Sequence, residues 1–161
     1  MDVLKYAIQM EKDGEAYYTK QAEINKDNPL FTVCTLLAKE EKGHAELLES
    51  KMNNLPYELK DSEAYDHAKN IFSDTENFQS NIKEVPGQLD FYRFALENEQ
   101  KSIDLYMDFL AKSEDEKEKQ LFEFLVAQET EHYEIIDDLV RMLTNAEQWV
   151  EDAEFGVRDE Y

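Results

Sequence analysis

Apolar residues recur along this chain at alternating steps of three and four, the spacing that lines one face of an α-helix, and they fall into four long runs. The first is expected from Asp2 to about Lys26, with Leu4, Ile8, Glu11, Glu15, Tyr18 and Ala22 near one stripe. Asn28-Pro29 opens the second, with Asn28 read as N-cap and Pro29 in the first turn. Its seam is Leu30, Cys34, Leu37, Glu41, His44, Leu48 and Met52. A third run follows Pro86-Gly87 and ends around Lys112-Ser113, turning Leu89, Tyr92, Leu96, Glu99, Ile103, Tyr106 and Leu110 inward. The fourth is expected from about Glu114 to Thr144, with Leu121, Leu125, Glu129, His132, Ile136 and Leu143 inward. The pattern predicts an all-α four-helix bundle made of two helical hairpins.

Residues 53–87 break the periodicity with Asn53, Asn54, Pro56, Pro86 and Gly87, although Asp61–Phe72 can form a short helix. A connection of about 35 residues, reaching up to roughly 3.3 Å per extended residue, can run the length of a bundle, so 53–87 is expected to be a long crossover. Residues 146–161 form a short C-terminal tail whose Trp149, Val150, Phe155 and Tyr161 are expected to pack on the bundle or on a neighbour. A chain of 161 residues is enough for one core, and a single domain over 1–161 is the expectation.

The polar exceptions on these stripes carry the chemistry. Glu11, Glu41 and His44 return as Glu99, Glu129 and His132, each displaced by 88 positions. The same offset matches Ala7 with Ala95, Tyr18 with Tyr106 and Leu37 with Leu125, the mark of a duplicated hairpin. Residues three apart share a helix face, so Glu41–His44 and Glu129–His132 each present a carboxylate and an imidazole to one centre. An approximate two-fold axis would gather four carboxylates and two imidazoles at mid-bundle, the donor set of a two-metal site. Any one of these six residues alone would more often be an edge glutamate reaching water or a hydrogen-bonded core histidine. Jointly they keep one offset on inward faces, where unpaired carboxylates are costly. Four carboxylates and two divalent cations balance in charge, and without cations the site would be strained by repulsion and desolvation.

Composition narrows the rest. With 38 acidic against 17 basic residues and a net charge of −21, the chain repels phosphate backbones and anionic lipid, so neither nucleic acid nor membrane is an expected partner. Cys34, the single cysteine, excludes an intrachain disulfide or a cysteine-ligated centre and reads as a core thiol. The N-terminal residues lack the pattern of a secretory signal and no run of 18 apolar residues occurs, which makes a soluble cytoplasmic protein the expectation. Tyr18 and Tyr106 follow Glu11 and Glu99 by two helical turns, and their hydroxyls could hydrogen-bond a ligating carboxylate or supply protons and electrons. Glu97 and Glu131 point away from the seam at helical spacing, and His67 in the connection reads as a surface residue.

Ala7-Ile8-Gln9-Met10-Glu11 through Tyr17-Tyr18, Glu40-Glu41-Lys42-Gly43-His44-Ala45, Ala95-Leu96-Glu97-Asn98-Glu99 through Tyr106, and Glu129-Thr130-Glu131-His132 together resemble the rubrerythrin branch of the ferritin-like superfamily. The resemblance implies a ferritin-like bundle with Glu11 and Glu99 as terminal ligands, Glu41 and Glu129 as bridging carboxylates, and His44 and His132 giving one imidazole to each metal. It implies two iron ions, whereas the donor types alone also suit manganese or zinc. Rubrerythrins typically append a cysteine-rich electron-transfer domain, which one cysteine cannot supply, so a separate electron-donor protein is expected. They also tend to carry a further glutamate where this chain has Ser102, whose repeat partner is Gly14. This leaves a symmetric six-ligand set like that of bacterioferritins.

The leading expectation is a di-iron oxidoreductase that reduces hydrogen peroxide or dioxygen in oxidative-stress defence. The alternatives are an iron-handling protein that oxidises ferrous iron and passes it on, and a non-catalytic bundle stabilised by its metal. The resemblance also implies a homodimer.

Overall fold

The computed structural model describes residues 2–73, 82 and 85–155. Among them are five helices and no strand: α1 (Val3–Ile24), α2 (Leu30–Met52), α3 (Ala64–Phe72), α4 (Val85–Lys112) and α5 (Glu116–Phe155). The first pair, α1 and α2, forms one hairpin and α4 with α5 the other, while α3 lies in the crossover and packs on α2 and α5. These are the two hairpins joined by a long crossover that the periodicity predicts.

The helix ends follow from local chemistry. Helix α2 starts one residue later than expected, at Leu30, with Pro29 as the capping residue. Asn28 still serves the end, because its Oδ1 accepts the Leu30 N–H at 2.9 Å. At the other end Asn54 takes φ 57°, and Leu55 N–H reaches Ser50 O at 2.8 Å while Asn54 N–H reaches Lys51 O. That is a Schellman closure, with asparagine in the left-handed position it tolerates better than most residues. Helix α5 extends to Phe155, well past the end expected near Thr144. The reason is compositional: Asn145 to Phe155 contains neither glycine nor proline, so nothing local stops the helix once started. The packing expected of Trp149, Val150, Phe155 and Tyr161 lies outside the described side chains.

Two apolar clusters fill the bundle, one toward each end. The first gathers Leu30, Val33, Cys34 and Leu37 of α2 with Leu89 and Tyr92 of α4 and Ile135, Ile136, Leu139 and Leu143 of α5. The second gathers Ala7 and Ile8 of α1, Leu48 of α2, Tyr106 and Phe109 of α4, and Leu121, Phe122 and Leu125 of α5. On every long helix the polar seam residues fall between the two. Full burial of each such large side chain contributes about 1.5–3 kcal/mol, and the two clusters thereby hold rigid whatever lies between them. Cys34 is buried in the first cluster, its Sγ 3.3 Å from Tyr92 Oη, and burial pushes its pKa up to about 12. It is an inert core thiol.

Candidate metal centre

Glu11, Glu41, His44, Glu99, Glu129 and His132 are all buried at mid-bundle, none more than 4% exposed. Two overlapping sets form there: Glu11, Glu41, His44 and Glu129, and Glu41, Glu99, Glu129 and His132, with the donor atoms of each set within 4.8 Å of one another. Glu41 and Glu129 belong to both sets. The duplication thus returns in space as two alike half-sites that share two carboxylates.

Hydrogen bonding around the imidazoles tests what the cluster could hold. His44 Nε2 lies 2.6 Å from Gln128 Oε1, and the Gln128 amide nitrogen donates to Lys60 O at 3.1 Å. That amide orientation makes Nε2 a donor and leaves Nδ1 to find its own partner. Nδ1 faces Glu129 Oε1 at 2.9 Å and Glu11 Oε2 at 3.4 Å. His132 repeats the arrangement, with Nε2 2.8 Å from Glu40 Oε1 and Nδ1 2.9 Å from Glu41 Oε1. An imidazole nitrogen this close to a carboxylate oxygen requires a proton or a metal ion shared between the two. Glu11 Oε2, Glu99 Oε2 and Glu129 Oε2 are moreover buried without a hydrogen-bond partner, a costly arrangement that a shared cation would relieve. Carboxylate oxygens and imidazole nitrogens in this number fit a pair of intermediate divalent metals.

Electrostatics give the same picture. Burial, reinforced by the negative charge of Glu11 and the other cluster carboxylates, raises the pKa of both Glu41 and Glu129 well above 4.5. For Glu11, burial acts upward too, but attraction to His44 and hydrogen bonds within the cluster outweigh it and hold the group at about 2. Without metal, the two shared carboxylates therefore keep protons that a bound metal would displace.

Tyr18 Oη donates to Glu99 Oε1 and Tyr106 Oη to Glu11 Oε1, each at 2.6 Å. Each tyrosine thus serves the glutamate of the opposite hairpin, a crosswise pairing that spacing along one helix does not disclose. Burial first, and then the facing carboxylates, raise both phenols well above 10, so they remain protonated donors. Glu97 and His67 are exposed, and Glu131 is half-buried at a small surface pocket with Asp61 and Gln128.

Sequence reasoning missed Glu40, Gln128 and Gly14. The first two occupy equivalent positions in the repeat, immediately before Glu41 and Glu129. That adjacency was the available signal, but each reaches across to the histidine of the other hairpin. Gly14 supplies space: a Cβ there would lie 2.7 Å from Glu41 Oε2. Gly14→Ala should favour helix α1 by about 1 kcal/mol yet displace the Glu41 carboxylate. The expected outcome is an unchanged or raised Tm of the metal-free protein together with divalent-metal binding weakened on the order of tenfold, read by calorimetric titration.

Beside Gly14 a cavity of about 420 Å³ opens between α1 and α4, running from Tyr6 and Phe94 at the surface to Tyr18, Glu41 and Glu99. The cluster is thus reachable by a small molecule from one side.

A helical bundle with a duplicated carboxylate–imidazole cluster at its centre defines the class of ferritin-like proteins. The family model for rubrerythrin matches residues 2–140, and the chain belongs to the rubrerythrin family. Comparison with curated proteins and with solved structures found no match in either case. Among the described residues no helix is long and apolar enough to cross a membrane.

Proposed function

We propose that this protein binds two iron ions in the cluster and reduces hydrogen peroxide or dioxygen there. The inward nitrogens of His44 and His132 carry this reading, since each faces buried carboxylate oxygens that a cation must separate. Glu11, Glu41, His44 and Glu129 would hold one ion and Glu99, Glu41, Glu129 and His132 the other. Membership of the rubrerythrin family supports iron over manganese or zinc.

A ferrous pair would supply two electrons in one encounter, so that hydrogen peroxide with two protons becomes two water molecules as its O–O bond breaks. The chain's own residues set the conditions. The cavity beside Gly14 admits a small oxidant to Glu41 and Glu99. Tyr18 and Tyr106 fix one oxygen of Glu99 and Glu11, leaving the second oxygen of each carboxylate directed inward. The apolar clusters above and below keep bulk water from the other approaches. Each cycle then requires electrons from a separate donor protein.

The test is a comparison of oxidants on ferrous-loaded protein by stopped-flow absorbance, repeated in the presence of a chemical reductant. The expected result is oxidation of both ions, followed by re-reduction and repeated consumption of oxidant at constant iron content. Release of oxidised iron with renewed ferrous uptake would assign the site to iron handling instead. Binding without oxidation would leave the metal a structural role.

A further inference from the structure

The inner halves of the cluster are alike, but what lies behind them is not. Each half-site has one unshared glutamate, the same two shared glutamates and one histidine. Each unshared glutamate accepts one tyrosine hydroxyl at 2.6 Å. The repeat breaks at the pair of equivalent positions hydrogen-bonded to the outer imidazole nitrogens: His132 Nε2 is backed by the Glu40 carboxylate at 2.8 Å, whereas His44 Nε2 is backed by the Gln128 amide oxygen at 2.6 Å. We infer that the two cation positions are therefore inequivalent, the one at His132 binding a divalent metal first and more tightly, with Glu40 and Gln128 as the residues that set the order. This rests on the reading of the cluster as a two-metal site.

A carboxylate accepting the Nε2–H draws that proton toward itself and makes Nδ1 the better electron donor, and it adds a negative charge close to the cation. A neutral amide does the first weakly and the second not at all. Glu40 is well suited to stay ionised and in place. Its oxygens also accept Ser62 Oγ at 2.8 Å and the N–H groups of Glu63 and Ala64 at 2.8 and 2.9 Å, at the start of α3. These donors orient the carboxylate without neutralising it. Gln128 is tied to the same stretch of crossover through Lys60 O. The crossover at residues 60–64 thus secures both outer partners, one charged and one neutral.

Outer partners of ligating histidines typically change metal affinity 10- to 100-fold, and a separation of that order between the two positions is the expected effect. The chain has three histidines, His44, His67 and His132, so protein labelled with nitrogen-15 only at histidine gives three sets of ring signals, the exposed His67 serving as internal reference. Metal-free, full-length protein would be titrated with diamagnetic zinc(II), with calorimetry alongside. Up to the first equivalent, the ring signals of His132 should move to their metal-bound positions while those of His44 stay near their metal-free positions. Q128E should bring the two steps together by strengthening the His44 position, and the E40Q/Q128E pair should reverse the order. Q128E gives up the bond to Lys60 O but leaves the Glu40 contacts to α3 untouched, so it decides the matter even where E40Q disturbs the start of α3. Simultaneous response of His44 and His132 in the unsubstituted protein, or an order that the exchange leaves unchanged, would overturn the inference while leaving the two-metal site standing. Failure to bind zinc at all would overturn the site itself.

Discussion

Glu129→Ala is expected to abolish binding of the metal pair, reducing divalent-metal content from two per chain to less than one. Glu129 is fully buried and is one of two residues that belong to both half-sites, so its loss removes an oxygen from both cations rather than one. Neither neighbour can replace it: the side chain of Glu131 is half-buried at a separate surface pocket, and Gln128 is engaged with His44 and Lys60. The metal-free variant should remain folded, because substitution also deletes a carboxyl group whose burial is costly and leaves both apolar clusters intact. Metal analysis after anaerobic loading, with thermal unfolding before and after, checks both halves. A bound cation at one hundred times its dissociation constant adds about 2.7 kcal/mol, and that increment should appear for the parent and not for the variant. Glu97→Ala is the control. Its side chain is exposed one helical step from the seam, and metal content should be unaffected.

The second large effect is a reversal in how stability depends on pH. In the metal-free protein Glu41 and Glu129 are raised above 4.5, first by burial and then by their neighbours' charge. His132 is raised above 6.5, because the Glu40 hydrogen bond and the attraction of Glu99, Glu40 and Glu11 outweigh the downward effect of burial. From 4.5 upward the native state therefore holds protons that the unfolded chain has released, and stability falls as pH rises. The His132 contribution is complete below 6.5 and is lost as pH passes its folded value. Glu11 and Glu40, both held at about 2, act in the opposite sense: their contribution is complete above 4.5 and is lost as pH falls toward 2. The metal-free protein should thus be most stable near pH 5, declining toward neutrality by about 1.4 kcal/mol per pH unit for each proton lost on unfolding. At about 2–4 °C per kcal/mol for a domain of this size, several degrees of Tm are involved. Metal binding displaces these protons and holds both imidazoles unprotonated, whereas the unfolded chain protonates them below 6.5. The loaded protein should therefore gain stability from about pH 5 to 6.5 and stay level above that, where the metal-free protein goes on losing it. Melting curves at a series of pH values, with and without metal, read the two slopes directly. Parallel slopes would mean that the buried glutamates are not the cation-binding groups.

Much of this site was legible in the chain because a helix converts spacing into direction. The three-residue interval of Glu41–His44 and Glu129–His132 and the offset of 88 positions locate all six cluster residues, and the long interval between Met52 and Leu89 requires a crossover. The features that sequence left hidden share one cause: they depend on how one hairpin lies against the other. Tyr18 pairs with Glu99 rather than with Glu11 on its own helix. Glu40, four residues before His44, instead supports His132. Gly14 looks like a poor helix residue until the Glu41 carboxylate is seen to occupy the space a side chain would need. The end of α5 was misplaced for a different reason, since a loss of apolar periodicity after Thr144 signals the end of a buried face and not the end of a helix.

The central claim is that the six buried residues hold two cations, and counting them is its most direct test. Metal-free protein loaded with ferrous iron in the absence of oxygen, freed of excess and analysed for iron against protein concentration, should retain two ions per chain, and His44→Ala should retain no more than one. Retention of none, or of two in both proteins, would contradict it.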